Sequence, residues 1–283
     1  MELEVKRRKA QIYIQQGIGV GIIVLAAVYL FYMTLRIESY YLLMAFGRGV
    51  LFLTNISIGI VYILIVVIGA LVMRFAAVRL HSILTKECDP YLYEACISGQ
   101  SRLVFKDRLL VNLALAQHSQ GDYERAWRTL QEINVHRIKG AFRANYYILL
   151  SDQYFKRGMG GQVRGLEEAF RHSIRGKRDQ KFFEMLCAGN NLTRALENKD
   201  YQAAAEFLQK KIELNGTVSH TWMRVGYAFK EAQIYLGLGE KESARMKLEY
   251  VALNGRRMWI AMEARRLLSN DMNEGEEMHG NLS

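Results

Sequence analysis

The sequence predicts an all-α protein in which two transmembrane helices are followed by an α-solenoid of helical hairpins. Residues 11–35 and 49–73 contain no charged side chain. Each stretch exceeds the roughly 20 apolar residues that cross the hydrocarbon of a bilayer. The whole chain of 283 residues has a single proline, a composition that favours helix over an all-β domain. A short pattern also recurs about every 40 residues in the second half, which is typical of stacked helical repeats.

The basic residues around the two spans predict their orientation. Residues 1–10 contain four consecutive cations and three more follow the second span closely, whereas the loop 36–48 has two. Short flanks rich in Lys and Arg stay on the cytoplasmic side of a membrane. We therefore expect an integral membrane protein, in the cell membrane if the organism is bacterial. Both termini and the repeat domain are expected to be cytosolic, and the loop 36–48 external.

Three features of the spans bear on their role. The first is expected to be an uncleaved anchor, because its apolar run is about twice as long as that of a secretory signal. Gly17 and Gly21 form a pair of small residues suited to close packing on the second span near Gly59, although glycine is also common in spanning helices without that role. Neither span contains Asp, Glu, Lys, Arg or His, which argues against a transporter or a channel.

Three regions follow the spans. Residues 74–102 are expected to form a helical connector, in which Asp89 and Pro90 have the pattern of an N-cap and a first helical residue. Residues 103–268 carry the repeats. The acidic segment 269–283 is expected to be a disordered tail.

Each repeat is expected to contain two helices joined by a recurring turn. The pattern at 121–126 recurs at 199–204 and more loosely at 239–244, with a degenerate unit centred on Gly165. After each turn, apolar residues recur at the spacing of one helix face. Four glycines are expected to close the units as left-handed C-caps: Gly140, Gly176, Gly216 and Gly255.

This pattern resembles the tetratricopeptide repeat family. The matching residues are Leu113, Ala114, Gly121, Asp122, Tyr123, Ala126 and Leu130 in the first unit, Ala195, Tyr201, Ala204 and Leu208 in the third, and Ala232, Tyr235, Gly239, Ala244 and Leu248 in the fourth. The chain departs from the family in its period of about 40 rather than about 34 residues, and in lacking the proline that ends each family repeat. The second unit keeps almost none of the pattern.

The resemblance implies that the first helices of the pairs line a concave surface, which holds a peptide or a helix of a partner protein. Its members would be Asn112, Gln117, Asn145, Tyr146, Gln153, Asn190, Asn191, Arg194, Arg224, Tyr227 and Lys230. The expected function is therefore a membrane-anchored adaptor or scaffold that recruits a protein partner to the cytosolic face.

The charge of the chain supports an alternative function. The net charge is +10, and residues 88–270 carry +9 of it. Such a domain is attracted to anionic lipid and, as a less favoured partner, to nucleic acid. The alternative function is therefore a membrane-tethered regulatory domain that binds one of these through its basic surface. The densest group of cations is Arg164, Arg171, Arg175, Lys177, Arg178 and Lys181. These residues form either a site for a carboxylate, a phosphate or a lipid head group, or a solvated helix end.

The sequence contains no recognisable catalytic or cofactor motif. The six histidines are dispersed, and the glycine-rich stretch 158–165 lacks the Lys-Ser/Thr of a phosphate-binding loop. Cys88, Cys96 and Cys187 have neither zinc nor disulfide spacing, so we expect free thiols in a reducing compartment. We expect no catalytic residue, metal or cofactor, and the oligomeric state is left open.

Overall fold

The computed structural model is helical throughout its regular elements. The residues that it describes are 2–41, 48–98, 106–216 and 220–280. Within these ranges there are twelve α-helices and no strand. Two compact units, Met1–Ser82 and Ile83–Ser283, divide the chain. The predicted all-α fold class is therefore confirmed, with apolar helices at the N-terminal end.

Two long helices, α1 (Glu2–Tyr41) and α2 (Arg48–Thr85), form the first unit, and α2 ends just beyond it. Each contains a segment long and apolar enough to cross a membrane, Lys6–Met33 and Gly59–Thr85. Helix α1 continues into the predicted loop because no glycine or proline lies between Gly21 and Gly47. The centre of that loop, residues 42–47, lies outside the described residues.

Helices α1 and α2 pack antiparallel through two glycines. Gly19 and Gly69 face each other so closely that a Cβ on either would lie 3.1–3.2 Å from the carbonyl oxygen of the other. Gly17 and Gly21 do not pack on Gly59, because a Cβ on any of the three would meet nothing within 4 Å, so the interpretation of glycines without a packing role applies to this pair. Residues two positions apart point about 200° apart around a helix, so Gly19 lies on a different face from its neighbouring glycines.

The surface of this hairpin is apolar. Large side chains such as those of Leu25, Phe31 and Phe75 are more than 60% exposed. In each helix, 11% of the most apolar window is buried, whereas a core helix of a soluble protein is mostly buried. The hairpin therefore has apolar side chains on its outer surface, as helices in a lipid environment do.

The second unit is a stack of helix pairs. Its helices are α3 (Pro90–Ser98), α4 (Lys106–Gln120), α5 (Tyr123–Gln131), α6 (Ala141–Lys156), α7 (Val163–His172), α8 (Lys177–Glu197), α9 (Tyr201–Asn215), α10 (Thr221–Leu238), α11 (Lys241–Asn254) and α12 (Trp259–Gly280). From α4 onward, consecutive helices pack as pairs, and α12 packs on α11. Asp89 accepts a hydrogen bond from the Leu92 N–H at 3.0 Å, which confirms its predicted role as an N-cap.

The predicted register of the repeats is visible at equivalent positions. Ala126, Ala204 and Ala244 are each 0% exposed, where the second helix of a pair crosses its neighbours. Asp122 and Asp200 have nearly the same backbone angles, φ −84° and −86°, and both cap the following helix. Three units therefore share one local geometry.

Several local expectations differ from the structure. None of the four glycines is a left-handed C-cap: Gly216 ends α9 with a positive φ but a ψ of −144°, and Gly140, also at positive φ, is the N-cap of α6. The φ of Gly176 is 178° and that of Gly255 is −78°. Gly255 is needed for space instead, because a Cβ there would lie 2.8 Å from the Cβ of Ala261. Helix α12 continues through much of the predicted tail 269–283, since Glu and Met are good helix formers, and residues 281–283 lie outside the described residues.

The end of the stack contacts its beginning. Arg257, just before α12, pairs with Asp89 at 3.1 Å and lies 4.6 Å from the centre of the Tyr91 ring. The Trp259 ring makes an edge contact with Tyr123 at 5.9 Å. Helix α12 therefore closes the second unit on its own first helices.

Candidate functional site

Five titratable side chains from four helices come together in the second unit, and we call them the inner charged cluster. They are His118 on α4, Asp152 and Lys156 on α6, Lys211 on α9 and Lys230 on α10. Asp152 Oδ2 and His118 Nε2 are in direct contact. The two side chains are 34% and 21% exposed, so the cluster is surrounded by protein but remains open to solvent.

The charges of the cluster act on one another strongly. Burial alone would raise the pKa of Asp152, but the positive charges of His118, Lys156 and Lys230, with the His118 hydrogen bond, hold it well below its usual range. Burial also lowers the pKa of Lys230. Two carboxylates, those of Asp152 and of Glu197 near Lys230, thus face three lysines and a histidine, which still leaves an excess of positive charge.

Lys211 also has an unfavourable position in the cluster. Burial, together with the charge of Lys230, lowers the pKa of its ammonium to about 8, although Asp152 acts in the opposite direction. Its side chain passes over Gly189 of α8, where a Cβ would lie 2.9 Å from Lys211 Nζ. Gly189 therefore leaves the space that admits the lysine to the cluster.

Aromatic rings border the cluster on the side of Lys156. The Lys156 ammonium lies 4.2 Å from the centre of the Tyr123 ring and 5.3 Å from that of Trp259. The Tyr123 ring in turn makes an edge contact with His118 at 5.3 Å. Burial, with a smaller contribution from Asp152, raises the pKa of Tyr123, so its hydroxyl is neutral near neutral pH.

The excess of positive charge suits the inner charged cluster to binding an anion.

The cysteines and the possible metal ligands bear on other kinds of site. Burial raises the pKa of both Cys88 and Cys187 to about 11, so neither thiol is a ready nucleophile. All three cysteines are unbridged, as predicted. In the described ranges, no three His, Cys, Asp or Glu side chains come together to hold a metal ion.

The residues expected on a concave surface divide into two groups. Gln117 and Asn190 are buried and bonded within the fold, Gln117 to Thr129 and Asn190 to Glu167 at 2.8 Å each, so their amides hold helices together. Gln153 is also buried. The remaining members are partly or fully exposed: Asn112, Asn145, Tyr146, Asn191, Arg194, Arg224, Tyr227 and Lys230.

Of that partly exposed group, Lys230 belongs to the inner charged cluster, whereas Arg194 pairs with Glu167 at 3.1 Å and hydrogen bonds to Asn191. Tyr146 and Tyr227 pack beside core clusters. Of the residues predicted to line the concave surface, one, Lys230, is therefore also a member of the inner charged cluster.

The predicted basic group lies around the junction of α7 and α8, and all six of its side chains are exposed. None of them forms an ion pair with a carboxylate of the described residues. Lys177 and Arg178 begin α8, where cations oppose the helix dipole. The interpretation of a helix end that complements the dipole therefore applies to Arg171 but not to these two residues.

The sequence gives no local signal for most of the inner charged cluster. Its members are separated by up to 112 positions, and none stands in a motif. His118 on α4 is indistinguishable from a surface histidine until α6 brings Asp152 beside it. The only local clue is Gly189, a glycine inside a helix of 21 residues.

Comparison with protein-family models, curated proteins and solved structures finds no match to this chain. The functional argument therefore rests on the residues and their geometry.

Proposed function

We propose that this protein is a membrane-anchored adaptor that recruits a protein partner to the cytosolic side of a membrane. The hairpin of α1 and α2 is the anchor, and the helical-repeat unit is the recruiting domain. The exposed apolar surface of the hairpin supports the anchoring role, because water is a poor solvent for so many uncovered side chains. The basic N-terminal flank supports the proposed orientation.

The inner charged cluster is the observation that carries the recruiting role. Partly buried lysines with too few carboxylates destabilise a fold, and such perturbed groups concentrate at functional sites. An acidic segment of a partner would supply the missing negative charge. The partner proposed here is therefore a protein with an exposed acidic peptide or helix.

A pulldown with matched variants tests this function. The tagged full-length chain is cross-linked in membranes, extracted in mild detergent and recovered at moderate salt. We expect a defined protein to be recovered with the wild type, and at least about tenfold less of it with Lys211→Gln/Lys230→Gln, because charge contacts in partly buried sites contribute strongly to affinity.

The control is Lys210→Gln/Lys241→Gln, which removes the same charge from exposed positions and should leave recovery unchanged. Equal recovery with all three proteins would contradict recruitment through the inner charged cluster.

A second function, binding of anionic lipid, is favoured by the basic group at the α7–α8 junction. Its exposed cations have no carboxylate partner in the described residues, and two of them oppose the dipole of α8. A lipid head group would relieve both costs. This function is compatible with the adaptor role, since it would orient the repeat unit on the membrane.

Vesicle flotation of the fragment 83–283 tests lipid binding, after circular dichroism has verified its helical content. We expect binding to vesicles that contain acidic lipid, weakening as salt rises because exposed charges are screened beyond about 8–10 Å. Arg175→Gln/Lys177→Gln/Arg178→Gln should abolish binding, whereas Lys139→Gln/Lys210→Gln/Lys241→Gln should retain most of it. Equal binding by both triple variants would show that the basic group is a solvated surface without a role in lipid binding.

A further inference from the structure

A cleft beside the inner charged cluster, with which it shares Lys156, has the features of a binding site. It lies between the turn that starts α5 and the end of α6, and its volume is about 340 Å³. The lining residues are Gly121, Asp122, Tyr123, Glu124, Gln153, Lys156 and Arg157. This volume is at the small end of the range found for pockets of small-molecule ligands, about 300–1,000 Å³.

The cleft collects polar atoms that the fold does not use. Four buried side-chain atoms of its lining have no hydrogen-bond partner within the described part of the chain: Tyr123 Oη, Gln153 Oε1, Gln153 Nε2 and Arg157 Nε. Gln153 is 1% exposed, so its amide is removed from bulk water. Buried amides without partners destabilise a fold, and native structures contain few of them. Four such atoms around one cleft therefore indicate a ligand.

The charges of the lining define what that ligand carries. Glu124 pairs with Arg157 at 2.7 Å, and Asp122 caps α5 and pairs with Arg125 at 3.4 Å. Lys156 is the lining charge that forms no ion pair within the described residues, although it lies near enough to Asp152 to lower the pKa of that carboxyl, and its ammonium is held against the Tyr123 ring. The cleft therefore favours a ligand with one negative charge.

The Gln153 amide defines a second group on the ligand. It presents one donor and one acceptor side by side, which matches another amide with its own C=O and N–H. Tyr123 Oη and Arg157 Nε are further donors for an oxygen. We propose that this cleft binds a small organic carboxylate with a neighbouring amide, of the N-acylamino acid type. The carboxylate contacts Lys156, and the amide pairs with Gln153.

The cleft shares Lys156 with the inner charged cluster, but the two proposals fail separately, because the variants that test recruitment leave Tyr123, Gln153, Lys156 and Arg157 unchanged. Ligand-observed NMR on the full-length chain in neutral detergent micelles provides the test. The probe is N-acetylglycine, which has both groups. The comparison compounds are butyrate, which lacks the amide, and N-acetylglycinamide, which lacks the carboxylate.

We expect saturable binding of N-acetylglycine and at least about tenfold weaker binding of either comparison compound, as each forgoes hydrogen bonds to partly buried groups. Gln153→Leu should lower the affinity for N-acetylglycine at least about tenfold while the thermal midpoint is kept or raised, since the fold loses no partner. Lys156→Gln, at an exposed position, should weaken the binding of N-acetylglycine but not that of N-acetylglycinamide. Gln202→Leu on the exposed face of α9 is the matched control and should bind normally.

Three results would overturn the proposal. Equal binding of the three compounds would show no recognition of either group. Unchanged affinity in Gln153→Leu, or a clear loss of thermal stability in that variant, would assign the amide a role within the fold. Binding of an acetylated tripeptide more than about tenfold tighter than N-acetylglycine would point to a macromolecular partner instead of a small molecule.

Discussion

Lys211 illustrates, at the scale of one residue, how this fold keeps a charge in an unfavourable place. Its pKa falls to about 8 because burial disfavours the ammonium, and the charge of Lys230 adds to the effect. Gly189 provides the room for the side chain. Two neighbouring positions on the same helix, Lys210 and Lys211, therefore have different energetics, although the sequence shows only a pair of lysines.

Replacing Lys211 by Met should stabilise the repeat unit at neutral pH. Between pH 8 and pH 10.5 the folded chain holds fewer protons at Lys211 than the unfolded chain, so stability rises with pH there and is lowest below pH 8. We expect Lys211→Met to raise the free energy of unfolding by roughly 1–3 kcal/mol at pH 7, because the buried charge is lost. The gain should shrink toward zero above pH 10.5, where the lysine is neutral in both states.

Urea denaturation at pH 7 and above pH 10.5 measures this difference. Lys210→Met, at the exposed neighbouring position, should show a difference from wild type that does not depend on pH. A gain for Lys211→Met that is the same at both pH values would show that the ammonium is not destabilised by its surroundings.

At the scale of one element, α9 shows what fixes the repeat register. Asp200 caps the helix by accepting a hydrogen bond from the Ala203 N–H at 3.0 Å. Four residues later, Ala204 is fully buried in a core cluster with Leu192, Leu208 and Ile234. A small residue at this point lets neighbouring helices approach, and the same arrangement recurs at Ala126 and Ala244.

Enlarging Ala204 should therefore be costly. We expect Ala204→Leu to lower the free energy of unfolding by roughly 1–3 kcal/mol, because extra methyl groups overpack a closed contact. Gln202→Leu introduces the same residue, leucine, on the exposed face of α9 and should change the free energy of unfolding by less than about 0.5 kcal/mol. Chemical denaturation of the two variants makes the comparison. Similar effects from both would mean that Ala204 is not the tight crossing point.

The success of sequence-based prediction at this scale depends on whether the signal is local. The cap and the buried alanine lie within five residues, so their pattern reveals the register of α5 and α9, whereas α11 shares only the buried alanine. The Gly19–Gly69 contact depends on how two helices rotate against each other, which the spacing of Gly17 and Gly21 does not reveal. The inner charged cluster depends on the stacking of four helices, which no short window of sequence contains.

At the scale of the whole molecule, the antiparallel hairpin has a consequence for topology. Gln11 near the start of α1 accepts a hydrogen bond from Arg79 near the end of α2 at 3.4 Å. The two ends of the hairpin therefore lie together, and so do the basic residues that flank both spans. Flanks rich in Lys and Arg remain on the cytoplasmic side, so one rule assigns both ends to the same compartment.

Cysteine labelling of intact cells with a membrane-impermeant maleimide tests this topology. The native residues Cys88, Cys96 and Cys187 all follow the second span, so none should be labelled from outside in the proposed orientation. Gly280→Cys should likewise remain unlabelled until the membrane is permeabilised. Met44→Cys, in the loop between the spans, is the positive control and should react in intact cells. Ready labelling of Gly280→Cys from outside would show that the orientation is the opposite one, and it would contradict the proposal that the adaptor acts on cytosolic partners.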